Sequence, residues 1–412
     1  MNKEAELKLA STWDYKFKEA MVAKHPYTKR WNTYQQAYEG TLFKRKNRRE
    51  YHSDVVSNYI FSIIETIRPI MLDNDPKFQV MPRHPEALNF VNDLQEAMSY
   101  EWDREGMSRK LYSSLIPTLV YGTSIDFLSW DSNKREIKHI PVNPFNIFPD
   151  PLATCVEDAE YIIYASYHNV NKLKRLYPSK SEDLHGASIN YSELVNKNDL
   201  NAKVDNQVLV IEAWTRDEST YVDEKDGKIK LLYPKGRVLT IAPELGVVLK
   251  SEHNPYKTGD FPFVLKKDYE VPDKFWGEGE IAQLLSPQIA MSELSNAVVD
   301  NAKATANMPW IIDKNSGIPY GGITNEPGSV IRKNPQSEVR REQPPQMPAY
   351  ILQSIETMKS DMEQVSGIFD TLKGNSETGV YTAQGILALQ EAGQARIRLK
   401  VKLMESSLGK LA

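Results

Sequence analysis

The sequence predicts an α+β subunit, mainly helical and built of several parts. Three observations carry this. At 412 residues the chain is too long for one compact core. Apolar residues recur at helical spacing through the first 120 residues and again from about residue 276 onward. Between them, residues 208–267 turn to strand composition, as in "VLVIEAWTR" and "RVLTIAPELGVVLK".

The elements follow in order. Residues 3–40 read as a helix, with Leu7, Leu9, Trp13, Phe17 and Met21 recurring at helical spacing, the last four every fourth position. Residues 54–72 give a second helix, with Asp54 as N-cap and Pro69 near its end. Turn chemistry follows at Asp73-Asn74-Asp75-Pro76. Residues 85–120 read as a third helical region, with Leu88, Val91, Leu94, Met98 and Trp102 in register. "SIDFLSWDSNKREIKHIPV" is a hairpin, and "NPFNIFPDP" (143–151) a rigid extended link, since residues before proline are held extended. A strand "YIIYASYHNV" leads to a short helix capped by Asn169 and stopped by Pro178. Residues 179–207 form a polar surface loop, and Asp226-Gly227 turns a hairpin within the β region.

A long helix spans Gly279–Ala306, about 40 Å at ~1.5 Å per residue. Ile281, Leu284, Met291, Leu294, Val298 and Ala302 lie along one side of it. Residues 308–348 hold seven prolines and four glycines, an irregular module between two helices. In the second helix Ile351, Ile355, Met358, Met362, Val365 and Phe369 make a heptad seam. A loop, "TLKGNSETG", precedes a last helix from about Tyr381, in which Ala383, Gly385, Ala388, Ala392 and Gly393 permit close helix approach. That pattern is still running at residue 412, which leaves open a truncated or partial product.

Composition and motifs exclude much. One cysteine, Cys155, allows no intrachain disulfide and no thiolate zinc site. No apolar run approaches a membrane span. The net charge of −4 is uneven: residues 1–50 hold twelve Lys/Arg and six Asp/Glu. The basic run "FKRKNRRE" (43–50) reads as a solvated face or as a nucleic-acid patch. "GNSETG" has the glycine spacing of a phosphate loop, but Val380 and Tyr381 stand where Lys and Ser/Thr are required. "GEG" (277–279) lacks the third glycine of a dinucleotide fingerprint and reads as a helix entry where backbones pass closely. The seven histidines are scattered, without H-x-x-x-H, and no G-x-S-x-G elbow exists. No catalytic residue, cofactor or metal is assigned, and the chain reads as a structural or binding component rather than an enzyme.

The ordered set of parts resembles tailed-bacteriophage portal proteins, the head–tail connectors. "NYIFSIIETIRPIMLDNDPKFQVMP" is similar to the portal N-terminal helix and its following strand. "VNPFNIFPDP" resembles the portal link, and "FWGEGEIAQLLSPQIAMSELSNAVVDNAKATANMPW" the first stem helix entering the clip. "VSGIFDTLKGNSETGVYTAQGILALQEAGQARIRLK" resembles the junction of stem, tunnel loop and helix. The resemblance covers most of the chain and rests on the order of parts.

It implies a wing over 1–275, helical to about 120 and β-rich over about 121–275. It further implies a first stem helix (276–306), a small α/β clip (307–347), a second stem helix (348–370), a tunnel loop (371–380) and an inner wing helix (381–412) toward a short or absent crown. The implied function is a homo-oligomeric ring, twelve-membered, around double-stranded DNA that is packaged and later ejected. Implied partners are the terminase large subunit, the major capsid protein with scaffold as a further candidate, and head–tail adaptor or tail proteins, with no membrane. The implied location is the unique capsid vertex of the virion, after assembly in host cytoplasm. Thr371, Lys373, Asn375, Ser376 and Glu377 would form the tunnel loop at the DNA. Glu356, Lys359, Asp361, Glu363 and Asp370 would line the stem channel, or face neighbouring subunits and solvent. Arg396, Arg398, Lys400 and Lys402 would make a basic inner helix, or a solvated, salt-bridged face. Trp310, Ile311, Ile331, Arg332 and Lys333 are clip docking candidates, with Trp310 also readable as clip core. The alternatives are another virion structural protein, such as an adaptor or capsid component, or a metal-dependent nucleic-acid enzyme.

Overall fold

The computed structural model describes residues 3–44, 52–73, 76–131, 134–186, 206–222, 228–308, 310–319, 323, 330, 332–342, 347–368 and 395–411. Among them, eight α-helices and four small sheets make a mixed α/β chain.

Helix α1 spans Lys3–Tyr38 and buries Ala10, Trp13, Phe17, Ala20 and Met21, then Trp31, Tyr34 and Ala37. Leu7, expected on that side, is exposed. At 3.6 residues per turn it sits about 120° around the helix from Trp13. Helix α2, Tyr59–Met71, starts later than expected. Its cap is Asn58, whose Oδ1 accepts from the Phe61 N–H at 3.1 Å, and not Asp54. The region expected to be one helix over 85–120 is three pieces: a 3-10 turn at Pro85–Phe90, α3 at Val91–Arg104 and α4 at Met107–Tyr121. Gly106, at φ 59°, separates α3 from α4, because a left-handed residue cannot continue a right-handed helix.

Strands β1 (Thr123–Asp131) and β2 (Glu136–Val142) form the expected hairpin. The stretch 143–151 departs from a free extended link. Pro144–Asn146 is a 3-10 turn and Ile147–Pro149 a buried strand, β3, at a sheet edge where proline is tolerated. Strand β4 (Tyr161–Asn169) runs into α5 (Val170–Leu176), and Asn169 Oδ1 accepts from the Asn171 N–H at 2.9 Å, as the sequence predicts. With β5 (Gln207–Thr215), β8 (Arg237–Ala242) and β9 (Val247–His253), an antiparallel sheet forms in the order β3-β4-β5-β8-β9. Strands β6 (Thr220–Val222) and β7 (Ile229–Leu231) pair as a separate ribbon; the Asp226-Gly227 turn lies outside the described residues. Strand β10 (Phe263–Lys267) completes the sheet β10-β1-β2.

Side-chain alternation decides the layering. Tyr161, Ile163, Ala165, Leu209, Ile211 and Ala213 pack against the N-terminal half of α1. Ile162 and Trp214 point the other way. There Phe127 of β1 stacks on Phe263 at 5.1 Å and meets Trp214 at 6.1 Å, joining the two sheets. Beyond the smaller sheet lies a helical layer that includes α4 and α2. Lys24 fastens α1 to the β3 turn. Its Nζ donates to the carbonyl oxygens of Pro144, Phe145 and Ile147 at 2.6, 2.7 and 2.7 Å. Burial holds this amine well below the usual lysine range.

The remaining elements are α6 (Ile281–Ala306), β11 (Trp310–Ile312), β12 (Val339–Arg341), α7 (Tyr350–Ser366) and α8 (Ala395–Leu411).

Candidate functional site

Helices α6 and α7 pack on each other, and the short β11–β12 ribbon lies between them in the chain. Both are rooted in the body at one end only. In α6, Ile281, Leu284 and Met291 are buried, while residues 302–306 are exposed. In α7, Met362 and Ser366 are buried, and Ile351, Ile355 and Met358 are half-buried. The heptad seam therefore deepens toward the root. Val365 departs from it and is exposed, and Phe369 lies outside the described residues.

The inward side of α6 differs from the expected apolar stripe. Leu294 and Val298 are half-buried and Ala302 is exposed, whereas Gln288, Ser292 and Asn296 are buried. These polar side chains lie one turn apart; Gln288 and Asn296 grip the extended segment before α2, and Ser292 Oγ accepts from Gln288 Nε2 at 3.1 Å. Gln288 Oε1 accepts from the Tyr59 N–H at 2.9 Å, and its Nε2 donates to Ser57 O at 2.8 Å. Asn296 Oδ1 accepts from the Val55 N–H at 2.8 Å, and its Nδ2 donates to Val55 O at 3.1 Å. Asp300 accepts from the Ser53 N–H and lies 3.2 Å from His52 Nδ1. Segment 52–59 behaves as a strand whose partner is a ladder of side chains. That is why Asp54 cannot start the helix.

At the root of α6 the backbones approach closely. A Cβ on Gly279 would stand 2.4 Å from Leu119 O, and one on Gly122 2.4 Å from the Glu278 carbonyl carbon. The reading of "GEG" as a close-approach helix entry holds. Beside it lies an ion cluster that sequence reasoning missed. Lys400 of α8 pairs with Asp268 and, at 2.6 Å, with Glu280; Tyr269 Oη donates to Glu280 at 3.1 Å. Burial, opposed by Lys400 and reinforced by Glu280, leaves the Asp268 carboxyl pushed up to about 7. Lys400 is thus internal, which removes it from the expected basic face: its ammonium is needed between two carboxylates. Nothing in the local pattern distinguishes Lys400 from Lys402, which is exposed.

A second internal cluster joins Asp126, 3.1 Å from His139 Nε2 and 2.5 Å from Lys266 Nζ. Burial raises the Asp126 pKa, but His139 and Lys266 outweigh it and hold the carboxyl below its usual range. Asp126 is fully buried and Asp268 2% exposed, so both clusters are sealed structural pairs.

The other sequence candidates scatter over this frame. Glu356 and Asp361 are exposed on α7, Glu363 is half-buried, and Lys359 Nζ lies 5.9 Å from the Tyr59 ring centroid. Arg396 donates to Gln364 O and Val365 O at 2.9 and 2.7 Å, capping the end of α7. Arg398 is exposed. Trp310 is half-buried, with the Arg341 guanidinium 4.5 Å from its ring centroid. Ile311 and Arg332 are exposed, and Lys333 donates to Ser337 O at 2.7 Å. Ile331, Asp370, Thr371, Lys373, Asn375, Ser376, Glu377 and the small residues of 383–393 lie outside the described residues, as does most of the basic run 43–50. Among the described residues, no group of three His, Cys, Asp or Glu is placed to hold a metal. No described helix is long and apolar enough to cross a membrane.

A rooted helical pair bearing a small ribbon on a layered α/β body is consistent with a phage portal protein. The sequence model of the phage SU10 portal protein family matches residues 127–405. The chain belongs to that family, which is structural and virion-associated. No curated protein matches the chain.

Proposed function

We propose that this chain is the subunit of a ring, twelve-membered, whose central channel passes double-stranded DNA into the capsid and later out of it. The observation that supports this most is the α6–α7 pair rooted by Gly122, Gly279 and the Lys400 cluster, in a chain of the portal family. In this reading α6 and α7 are the stem, the β11–β12 region is the clip, and residues 1–275 are the wing. Exposed Glu356 and Asp361, repeated around a ring, would repel phosphates and let the duplex slide. Residues 371–380 would be the loop that meets passing DNA, and exposed Arg398 and Lys402 a weak basic zone beyond it.

The clip would dock the packaging terminase and then adaptor or tail proteins through Trp310, Ile311, Arg332 and Lys333. Aromatic and arginine side chains favour such contacts. The role is structural rather than catalytic, at one vertex of the virion, after assembly in host cytoplasm with the major capsid protein.

Negative-stain images of the purified protein test the ring. The expected result is a turbine-like particle with a central hole, and its absence from all assembly conditions removes the proposal. Lys373→Glu tests the loop: DNA packaging or retention should change while rings form normally. Normal filling and retention in that variant would dismiss the DNA contact.

A further inference from the structure

The chain runs out along α6 and returns along α7, and the buried residues of both lie at the same end of the pair. The N-terminus of α6 and the C-terminus of α7 therefore meet at the root. Both are helix ends with unpaired backbone groups, and their partial charges are opposite. A third helix serves both. Helix α8 buries a single stripe, Ile397, Lys400, Met404 and Leu408, and packs along α2 and β10. Arg396 and Lys400 stand one turn apart on it, about 6 Å at ~1.5 Å per residue.

Arg396 serves the end of α7. Gly367, at φ 74°, turns the chain, and its N–H donates to Glu363 O at 2.8 Å. The next two carbonyls, of Gln364 and Val365, take their hydrogen bonds from the Arg396 guanidinium. The arginine stem lies over Gly367, where a Cβ would come 3.2 Å from Arg396 Cδ.

Lys400 serves the start of α6. Glu280 immediately precedes Ile281, and its carboxylate suits the positive end of that helix. The Lys400 ammonium holds this carboxylate at 2.6 Å and also pairs with Asp268, just after β10. The Asp268 N–H in turn donates to Gly122 O at 3.1 Å, so this grip reaches the body as well as α6. Two grips of different chemistry, carbonyls at one helix end and carboxylates at the other, thus come from one turn of α8.

We propose that α8 is a clasp across the roots of α6 and α7: Arg396 and Lys400 hold the two helix ends at a fixed spacing, and withdrawal of α8 frees both ends together. Arg396 and Lys400 are positioning residues in this device. Its consequence for a channel rests on the stem reading above, since the spacing of paired stem helices would set the bore; the clasp itself does not depend on that reading.

Hydrogen exchange on the full folded chain tests it, in Arg396→Met, Lys400→Met and, as a control on the same helix, Lys402→Met. Exchange over residues 281–291 and 358–366 is read relative to β5. Arg396 bonds only to the end of α7 among these helices, yet Arg396→Met should speed exchange in 281–291 as well as in 358–366, by about tenfold or more. Lys400→Met should speed 358–366 reciprocally, and Lys402→Met should change neither. The double variant should exceed the larger single effect by less than about twofold, because either loss opens the same clasp. Effects confined to the helix each side chain touches, or an equal change in Lys402→Met, overturn the proposal. Arg396 is exposed, so Arg396→Met carries the test even where Lys400→Met fails to fold. Absence of cross-effects in a chain that forms rings removes the clasp and leaves the ring; cross-effects in a chain that never forms rings do the reverse.

Discussion

Replacing Lys400 with methionine keeps the length of the side chain and removes the ammonium shared by Asp268 and Glu280. The Nζ lies 2.6 Å from Glu280 Oε1 and also pairs with Asp268, and both carboxylates are 2% exposed. In the variant, Asp268 takes up a proton and Glu280 is left as a buried charge held by Tyr269 alone. Removing one partner of a buried ion pair costs about 3–5 kcal/mol. Total domain stability is typically about 5–15 kcal/mol, so the loss is a large fraction of it. Urea unfolding followed by tryptophan fluorescence should show the midpoint falling by about 1 M or more, taking a slope of about 2–3 kcal/mol/M. Hydrogen exchange should show α8 opening first. Adding Asp268→Asn and Glu280→Gln removes the orphaned Glu280 charge and the need to protonate Asp268, and should restore at least half of the loss. A single-variant loss below about 1 kcal/mol, or no recovery on neutralising both acids, would refute the assignment of this cluster as the anchor of α8.

Three further outcomes follow from the same geometry. Asp268 titrates near 7 in the folded chain and near its ordinary value of about 3.9 when unfolded, so the folded state holds the extra proton between those values. Its contribution is full below about pH 4 and is lost as pH rises through about 7. The fall in urea midpoint across that window should therefore be steeper in the wild type than in Asp268→Asn, and parallel curves would contradict it. Gly122→Ala combines a residue at φ 86° with a Cβ 2.4 Å from the Glu278 backbone. It should cost at least about 3 kcal/mol by thermal unfolding or abolish soluble expression, and a neutral effect would show that α4 and the α6 root are not in contact. Asn296→Ala removes the bonds to Val55 N and O and should destabilise by about 1–3 kcal/mol. The Val55 amide should lose exchange protection, and unchanged protection would count against the side-chain ladder.

Much of the fold was legible because it is local. Three-to-four spacing located α1, α6 and α7, alternation located the β1–β2 hairpin, and Asn169 announced its own helix. The order of parts carried the family resemblance without any single specific motif. Cap choice and helix breaks were less legible. Asp54 and Asn58 are both good caps, and only the grip of Asn296 and Gln288 on residues 55–59 keeps the earlier one extended. Gly106 sits in a helical pattern that spacing alone does not interrupt.

The sequence by itself determined the main helices, the β1–β2 hairpin and the order of parts. Tertiary structure decided which charges are internal. Lys400 and Lys402 occupy the same basic helix, but only Lys400 meets Asp268, 132 positions away in sequence. Lys24 likewise is a core residue because three carbonyls of the 144–147 turn come to it. Periodicity reports which face of an element is buried. Whether a charge on that face is tolerated depends on partners brought in from distant parts of the chain, and no local pattern encodes them.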